Sequence, residues 1–497
     1  MIKHILFSTL VINLGLLLGR LSGFIRESFV AATFGVSSQA DVTLLMLTVP
    51  DLLVNILVGG AMGAVLIPEF KAKPDFARKL LFQVAVFFGV LFTIVSAFFY
   101  LNSFLLVEVF APGFEGEKKL KASTSLSWVI WLVPLTVLAG ITTAFLHSKE
   151  KFAIASLGTL IMNSSIISGL LFVQFGLGSV YWVALFVLLG GFLRLSSQIV
   201  FVGLKWAPIS SFDSILLSRK ILYRYVGAIF SGSILLIIPV LVRAFSSFLG
   251  EGSLAVMNYS SRLIEFPLAI AITVLSVSLF PKLSESFLDN RNLYKNLVGY
   301  GSQAILGISI LIMITLLTLS SYYIDVIFNY GNMKGEDLIA IKQVISIGLF
   351  VLPLQGMAVF LSAVFYSQKN TKTPLIVNFL GLVVFYLTYT SNAFGFELSS
   401  IMMSMVCGYG FIFLLQIFLV KIDGEGIFHL ILKSEFLTGL VFSSILLYLL
   451  ISILDTANFN PFLTILLAIL IGLLSLFSLA MFNCDFRLMI KKRVPLK

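Results

Sequence analysis

Among the charged side chains inside long apolar stretches of this 497-residue chain are Arg20, Arg26, Arg194, Arg243 and Arg262, with Glu27, Asp41, Asp51 and Glu265. A charge at the centre of a bilayer costs at least ~2.5–3.5 kcal/mol, so such groups face a water-filled cavity or pair with one another. Arg194 lies near one end of its stretch, where a long side chain can snorkel to the boundary, which gives it a structural role. The other four arginines outweigh the nearby acids and make an anion site. The planar guanidinium fork binds two oxygens at once and suits phosphate. Arg20 and Arg26 are ~120° apart on a straight helix. Gly15, Gly19 and Gly23 let that helix bend so that both face one cavity. Structural pairing is the competing reading: Arg26 with Glu27 or Asp41, and Arg262 with Glu265 one turn on. Glu265 is expected to position Arg262 rather than to touch substrate. Asp51 follows Pro50, where a helix breaks, and stands between a cation or proton site and packing.

The elements that must position these residues follow from composition. Hydrophobic residues make up 59% of the chain and charged residues 11%, against about 25% charged in a soluble domain. The mean hydropathy is +1.07. This excludes an ordinary soluble enzyme, a disordered protein and a nucleic-acid binder. A bilayer core needs ~20 mostly apolar residues per helix. Fourteen runs qualify: 5–33, 39–66, 80–107, 124–146, 152–175, 179–203, 222–248, 254–280, 298–322, 340–366, 374–391, 398–420, 431–454 and 462–484. The first is too long, and too charged at Arg20 and Arg26, for a cleavable signal.

Lysine and arginine set the orientation. With the N-terminus in the cytoplasm, 23 of the 33 fall in inside segments and five outside, at Lys118, Lys119, Lys121, Lys334 and Lys342; the other five are the in-span arginines. Both termini are therefore expected in the cytoplasm. The split also accounts for the net charge of +10 without a polyanionic partner.

The chain reads as a duplication. Arg26, Gly35 and Pro50 recur as Arg243, Gly252 and Pro267 at an offset of 217, with Asp41 opposite Asn258. Val133-Pro134-Leu135, Ala144 and Ser148 recur as Leu352-Pro353-Leu354, Ala363 and Ser367 at an offset of 219. Six spans is an even number, so the halves share one membrane orientation and are related by an axis along the membrane normal. The expectation is an all-α integral membrane protein with two six-helix bundles, residues 1–210 and 211–425, a site between them, and two additional helices in 426–497.

No catalytic signature is present. His4, His147 and His429 lack metal-ligand spacing. No phosphate-cradling loop occurs, so the chain has no ATPase of its own. Cys407 and Cys484 sit in apolar runs as small hydrophobes. No cofactor is expected beyond coupling to the membrane potential or a bound ion.

The segment Arg20-Leu-Ser-Gly-Phe-Ile-Arg26-Glu27, with Phe34-Gly35 and Ala40-Asp41, resembles the first-span signature of the MurJ/MviN lipid II flippases. Ala111-Pro112-Gly113-Phe114, Arg262-Leu-Ile-Glu265-Phe-Pro267, Phe328-Asn-Tyr-Gly331 and Tyr366-Ser367 are similar to later motifs of that family. The resemblance covers essentially the whole chain. It implies the multidrug/oligosaccharidyl-lipid/polysaccharide exporter fold in a bacterial inner membrane, moving a polyprenyl-diphosphate-linked peptidoglycan precursor outward by alternating access. It implies membrane lipids as surroundings and leaves any partner among the cell-wall synthesis proteins unidentified. By that resemblance Arg20, Arg26, Asp41 and Arg262 match positions important for function.

One departure stands out. After the second-span proline the family usually carries two arginines and then an acid before glycine. Here Val54 and Asn55 follow Asp51-Leu52-Leu53, and Gly59 takes the acidic position. One cavity cation is missing, and Arg243 is expected to replace it from the other half, unless the headgroup differs. The alternatives are a flippase for another polyprenyl-diphosphate-linked glycan and a cation-coupled small-molecule exporter of the same fold. An exporter of cationic ligands calls for an acid-rich cavity, and a scaffold without cargo has no need of four in-span arginines. The additional C-terminal helices carry no in-span charge and are expected to form a groove for the lipid tail.

Overall fold

A computed structural model describes residues 2–57, 61–72, 75–203, 216–456 and 459–482; Gly59, Lys73, Lys205, Cys484 and the basic residues from Arg487 to Lys497 lie outside the described residues. Each of the fourteen apolar runs coincides with one helix or two successive helices. The first six are α1 (Ile2–Phe34), α2 (Ser38–Leu57) with α3 (Ala61–Ala72), α4 (Ala77–Leu101) with α5 (Ser103–Phe110), α6 (Gly116–Val129) with α7 (Leu132–Ser148), α8 (Phe152–Gln174) and α9 (Val180–Val202). The next six are α10 (Arg219–Ser246), α11 (Ser253–Pro267) with α12 (Thr273–Asp289), α13 (Arg291–Thr318) with α14 (Ser320–Phe328), α15 (Gly335–Gly348) with α16 (Val351–Ser367), α17 (Lys372–Thr390) and α18 (Leu398–Leu419). The short α19 (Phe428–Ile431) precedes α20 (Ser434–Thr456) and α21 (Pro461–Phe482). Among the described residues nine helices are long and apolar enough to cross a membrane, ten if α15 and α16, bent by 45°, count as one span. Helices suit this composition because they satisfy every backbone polar group internally.

The duplication is visible in the breaks. The third and fourth runs are interrupted, and so are the ninth and tenth. Pro134 and Pro353 are each the third residue of a restarted helix, α7 and α16. A proline ring clashes with the carbonyl four residues earlier, here Ile130 and Leu349, so the preceding helix ends there. The turn is the same in both places: Val133 N–H donates to Ile130 O at 3.0 Å and Leu352 N–H to Leu349 O at 3.1 Å. Beyond these helices Glu150 and Lys369, 219 residues apart, both take left-handed backbone with φ of 60° and 61°. Lys151 N–H then reaches Leu146 O, and Asn370 N–H reaches Phe365 O. The eighth run breaks differently, through a π-helical turn, Leu268–Ile272, directly after Pro267.

The chain divides into two compact units, Met1–Asn258 with Tyr330–Lys334, and Tyr259–Asn329 with Gly335–Lys497. In the first, α8 is sandwiched between α1 and α9. Small residues permit the close approach, as is usual between membrane helices. A Cβ on Gly19 would stand 3.2 Å from Thr159 Cβ, and one on Gly190 3.0 Å from the Met162 carbonyl. In the second, α13 packs against α16, and the α20–α21 pair lies on α13. A two-residue ladder, Lys421–Ile422 with Glu425–Gly426, closes a turn beyond α18. Lys295 pairs with Glu425 at 2.8 Å and holds that carboxyl below the ordinary carboxylate range.

Candidate functional site

The first unit contains a buried polar network built on α1. Arg26 is 5% exposed and Glu27 2%. Arg26 Nη2 donates to Glu27 Oε1 at 2.8 Å. Its Nη1 donates to Asn163 Oδ1 on α8 at 3.2 Å and to Asp51 Oδ2 on α2 at 3.5 Å. Asn163 turns its amide nitrogen to Ser22 Oγ at 2.9 Å. Asn258, in α11, donates to the second oxygen of Glu27 at 3.1 Å. Four helices thus fix one guanidinium and leave its Nε buried without an acceptor. A buried donor of this kind costs ~1–3 kcal/mol, which an anionic oxygen can offset. The Asp51 side chain keeps 30% of its surface exposed, so the network opens at that point. Arg20, half-buried, follows Gly19 at the contact with Thr159 of α8.

A second cluster is organised by Asp41, which is fully buried in the first turn of α2. Its Oδ1 accepts the Ala255 amide proton at 2.8 Å, and its Oδ2 accepts that of Gly252 at 2.8 Å. The carboxylate therefore caps α11, where orphan amides and the helix dipole favour negative charge. Lys118 Nζ on α6 closes the arrangement at 2.5 Å from Oδ2 and lies 4.0 Å over the Phe114 ring. Nearby, Gly113 N–H donates to Ser247 Oγ at 2.9 Å. Gly331 adopts φ +62°, and a Cβ there would stand 2.1 Å from the Ala32 carbonyl oxygen. Asn332 N–H bonds that same oxygen at 2.9 Å, and Asn332 Nδ2 reaches Thr33 O at 2.6 Å. The Asn-Tyr-Gly segment thus meets the end of α1, and the Ala-Pro-Gly-Phe segment meets Ser247 at the end of α10.

In the second unit Arg262 Nη1 pairs with Glu265 Oε2 at 3.1 Å, one turn on, with both side chains partly exposed. The fully buried Tyr409 lies in the field of Glu265, and its hydroxyl accepts from Gln355 Nε2 at 3.2 Å. Arg243, half-buried, is in the last turn of α10, where its carbonyl accepts from Ser246 Oγ at 2.8 Å.

Of the sequence-expected residues, Arg26, Glu27 and Asp51 converge in one network. Arg262 and Glu265 form the expected pair. Asp41 binds Lys118 and two backbone amides, so of the two partners considered for Arg26 only Glu27 is in place. Three members were not visible in the sequence. Asn163 and Asn258 are uncharged residues in apolar runs, and Lys118 reads as an ordinary loop cation. Arg194 also differs from expectation. Its Nε is buried without an acceptor rather than exposed at the membrane boundary. Cys407 is a half-buried free thiol.

A family profile described as "Lipid II flippase MurJ" matches residues 30–471 of the chain. Curated relatives named "Probable lipid II flippase MurJ" include one from Buchnera aphidicola subsp. Acyrthosiphon pisum, 29% identical over 409 residues, which cover 79% of each chain. Another, from Aquifex aeolicus, is 25% identical over 458 residues, or 88% of each. Among solved structures, one titled "Lipid II flippase MurJ, inward closed conformation" aligns with a TM-score of 0.77 over 97% of this chain and 100% of that one, at 21% identity. An inward-facing multidrug transporter of the MATE family aligns at 0.67 over 80% and 92%, at 14% identity. At these identities the two structures speak for the fold.

Proposed function

We infer the function from one premise: this chain belongs to the lipid II flippase MurJ family. It is a transporter, not an enzyme. It moves lipid II, the undecaprenyl-diphosphate-linked peptidoglycan precursor, from the cytoplasmic to the outer leaflet by alternating access, and so serves cell-wall biogenesis. The observation that carries this is the family match across 30–471. The Nε of Arg26, buried without an acceptor, agrees with an anionic cargo.

Arg20, Arg26, Arg243 and Arg262 are the arginines that bind the diphosphate. Their forked donors suit paired phosphate oxygens. Glu27 and Glu265 hold Arg26 and Arg262 in place, Asp51 occupies Arg26 until substrate arrives, and Asp41 holds the outer side closed. The buried Arg26 Nε and the capped α11 support these roles. The protein lies in the bacterial cytoplasmic membrane with both termini in the cytoplasm, which the 23-to-5 distribution of basic residues supports. Residues 1–210 and 211–425 are the two repeated bundles, and 426–497 supply the groove for the prenyl tail. Membrane potential or a bound ion supplies the energy, and cell-wall synthesis proteins are the expected neighbours. Complementation of cells depleted of their own lipid II flippase tests the whole reading; absence of rescue at normal membrane levels refutes it.

A further inference from the structure

Arg26 and Glu27 are adjacent on α1, and adjacent side chains point about 100° apart around a helix and do not face each other. Their 2.8 Å pairing therefore depends on partners from other helices. On the Arg26 side these are Asn163 of α8 and Asp51 of α2, at 3.2 and 3.5 Å. On the Glu27 side Asn258 of α11 donates from Nδ2 to Oε2 at 3.1 Å. Asn258 is 1% exposed, and its carbonyl oxygen is buried without a donor. A leucine of similar size would bury there without that cost, so what the amide contributes is its bond to Glu27.

The internal repeat points the same way. Position 258 stands opposite Asp41 at the offset of 217. Asp41 faces donors: the amides of Gly252 and Ala255 and the Lys118 ammonium. Position 258 faces a carboxylate, which only accepts, and a second carboxylate so close would repel it. The chain carries the isosteric amide there instead. Asp41 also sets where that amide reaches, because it caps α11 at Gly252 and Ala255, and Asn258 lies one turn beyond Ala255.

We propose that Asn258 is a positioning residue for the substrate diphosphate: it holds Glu27 turned toward Arg26 and so sets the direction of the Arg26 fork, without touching substrate itself. This rests on the lipid II flippase reading, in which Arg26 binds the diphosphate. Without the amide, Glu27 is released from α11 and the guanidinium is left to Asn163 and Asp51.

The test titrates full-length protein in nanodiscs with undecaprenyl diphosphate, each variant first matched to wild type in melting temperature. Asn258→Leu removes the donor at nearly constant size and should weaken binding about three- to tenfold, the worth of one hydrogen bond. In the Arg26→Gln, Glu27→Gln background the same substitution should bring no further loss, because no pair is left to position. A packing defect would add its loss in both backgrounds. Should Asn258→Leu not fold beside a stranded Glu27, Asn258→Ser decides: it leaves room for water at Glu27 but no positioned donor, and should show the same loss and the same dependence on background. Wild-type affinity in the folded variant, or equal losses in both backgrounds, would overturn the positioning role and leave the flippase reading intact. Failure of wild type to bind the probe at all would bring down both.

Discussion

Asp41 and Ala255, 214 residues apart in sequence, are joined by a 2.8 Å hydrogen bond in which the Ala255 amide donates to Asp41 Oδ1. With Gly252 N–H and Lys118 on the other oxygen, Asp41 ties the start of α2 to the starts of α6 and α11. Its carboxylate is a fastener: a release on one side of the transport cycle must undo all three bonds.

Asp41→Asn preserves shape but presents an NH2 group to partners that are themselves donors. One buried amide then lacks an acceptor, at a cost of about 1–3 kcal/mol. Thermal unfolding of the purified variant in detergent should show a lowered midpoint. Lys118→Met strands a fully buried carboxylate and should lower it as well, at a cost of about 3–5 kcal/mol. An Asp41→Asn variant as stable as wild type would contradict the fastening role.

Arg26 carries two duties that can be separated. Arg26→Ala strands Glu27 in a buried site, and removing one partner of a buried pair costs about 3–5 kcal/mol, so less protein should reach the membrane. The double variant Arg26→Gln, Glu27→Gln removes both charges and should recover the protein level, yet not transport. Growth of flippase-depleted cells on the double variant would show that Arg26 serves only as a partner for Glu27.

Gly331 and Gly335 form a matched pair of controls. Alanine at 331 would need left-handed backbone and a Cβ 2.1 Å from the Ala32 carbonyl, whereas nothing lies within 4 Å of a Cβ at 335. Gly331→Ala should abolish complementation or sharply lower protein level, and Gly335→Ala should leave both unchanged. Equal tolerance would place the Tyr330–Lys334 segment away from α1.

The α20–α21 pair is tested by truncation and by packing. A Cβ at Gly307 would stand 2.5 Å from Leu479 Cδ2, so Gly307→Leu should push α21 off α13. If this pair carries the prenyl tail, Gly307→Leu and deletion from residue 426 onward should both impair transport, measured against membrane level, with the preceding spans still inserted. Full transport by the truncated chain would dismiss a tail groove there.

The apolar helices and the duplicated breaks were legible because hydropathy and proline act locally. Pro134 and Pro353 announce the restarts of α7 and α16 wherever the rest of the chain goes. The Arg26–Glu27 and Arg262–Glu265 pairs were legible for the same reason: their partners are one or three residues away. The rotation of each helix about its axis is set by packing and is not written in hydropathy. That is why Asn163, 137 residues from Arg26, and Lys118, 77 residues from Asp41, went unseen. It is also why Arg194 reads as a boundary residue while its Nε lies buried against Gly158.

The most direct measurement counts lipid II exposed on the outer leaflet of cells whose own flippase is depleted while this chain is expressed. The account predicts that outward-exposed lipid II returns to near its undepleted level and growth resumes. Lipid II that stays on the cytoplasmic side, with the chain present in the membrane at normal abundance, would contradict it.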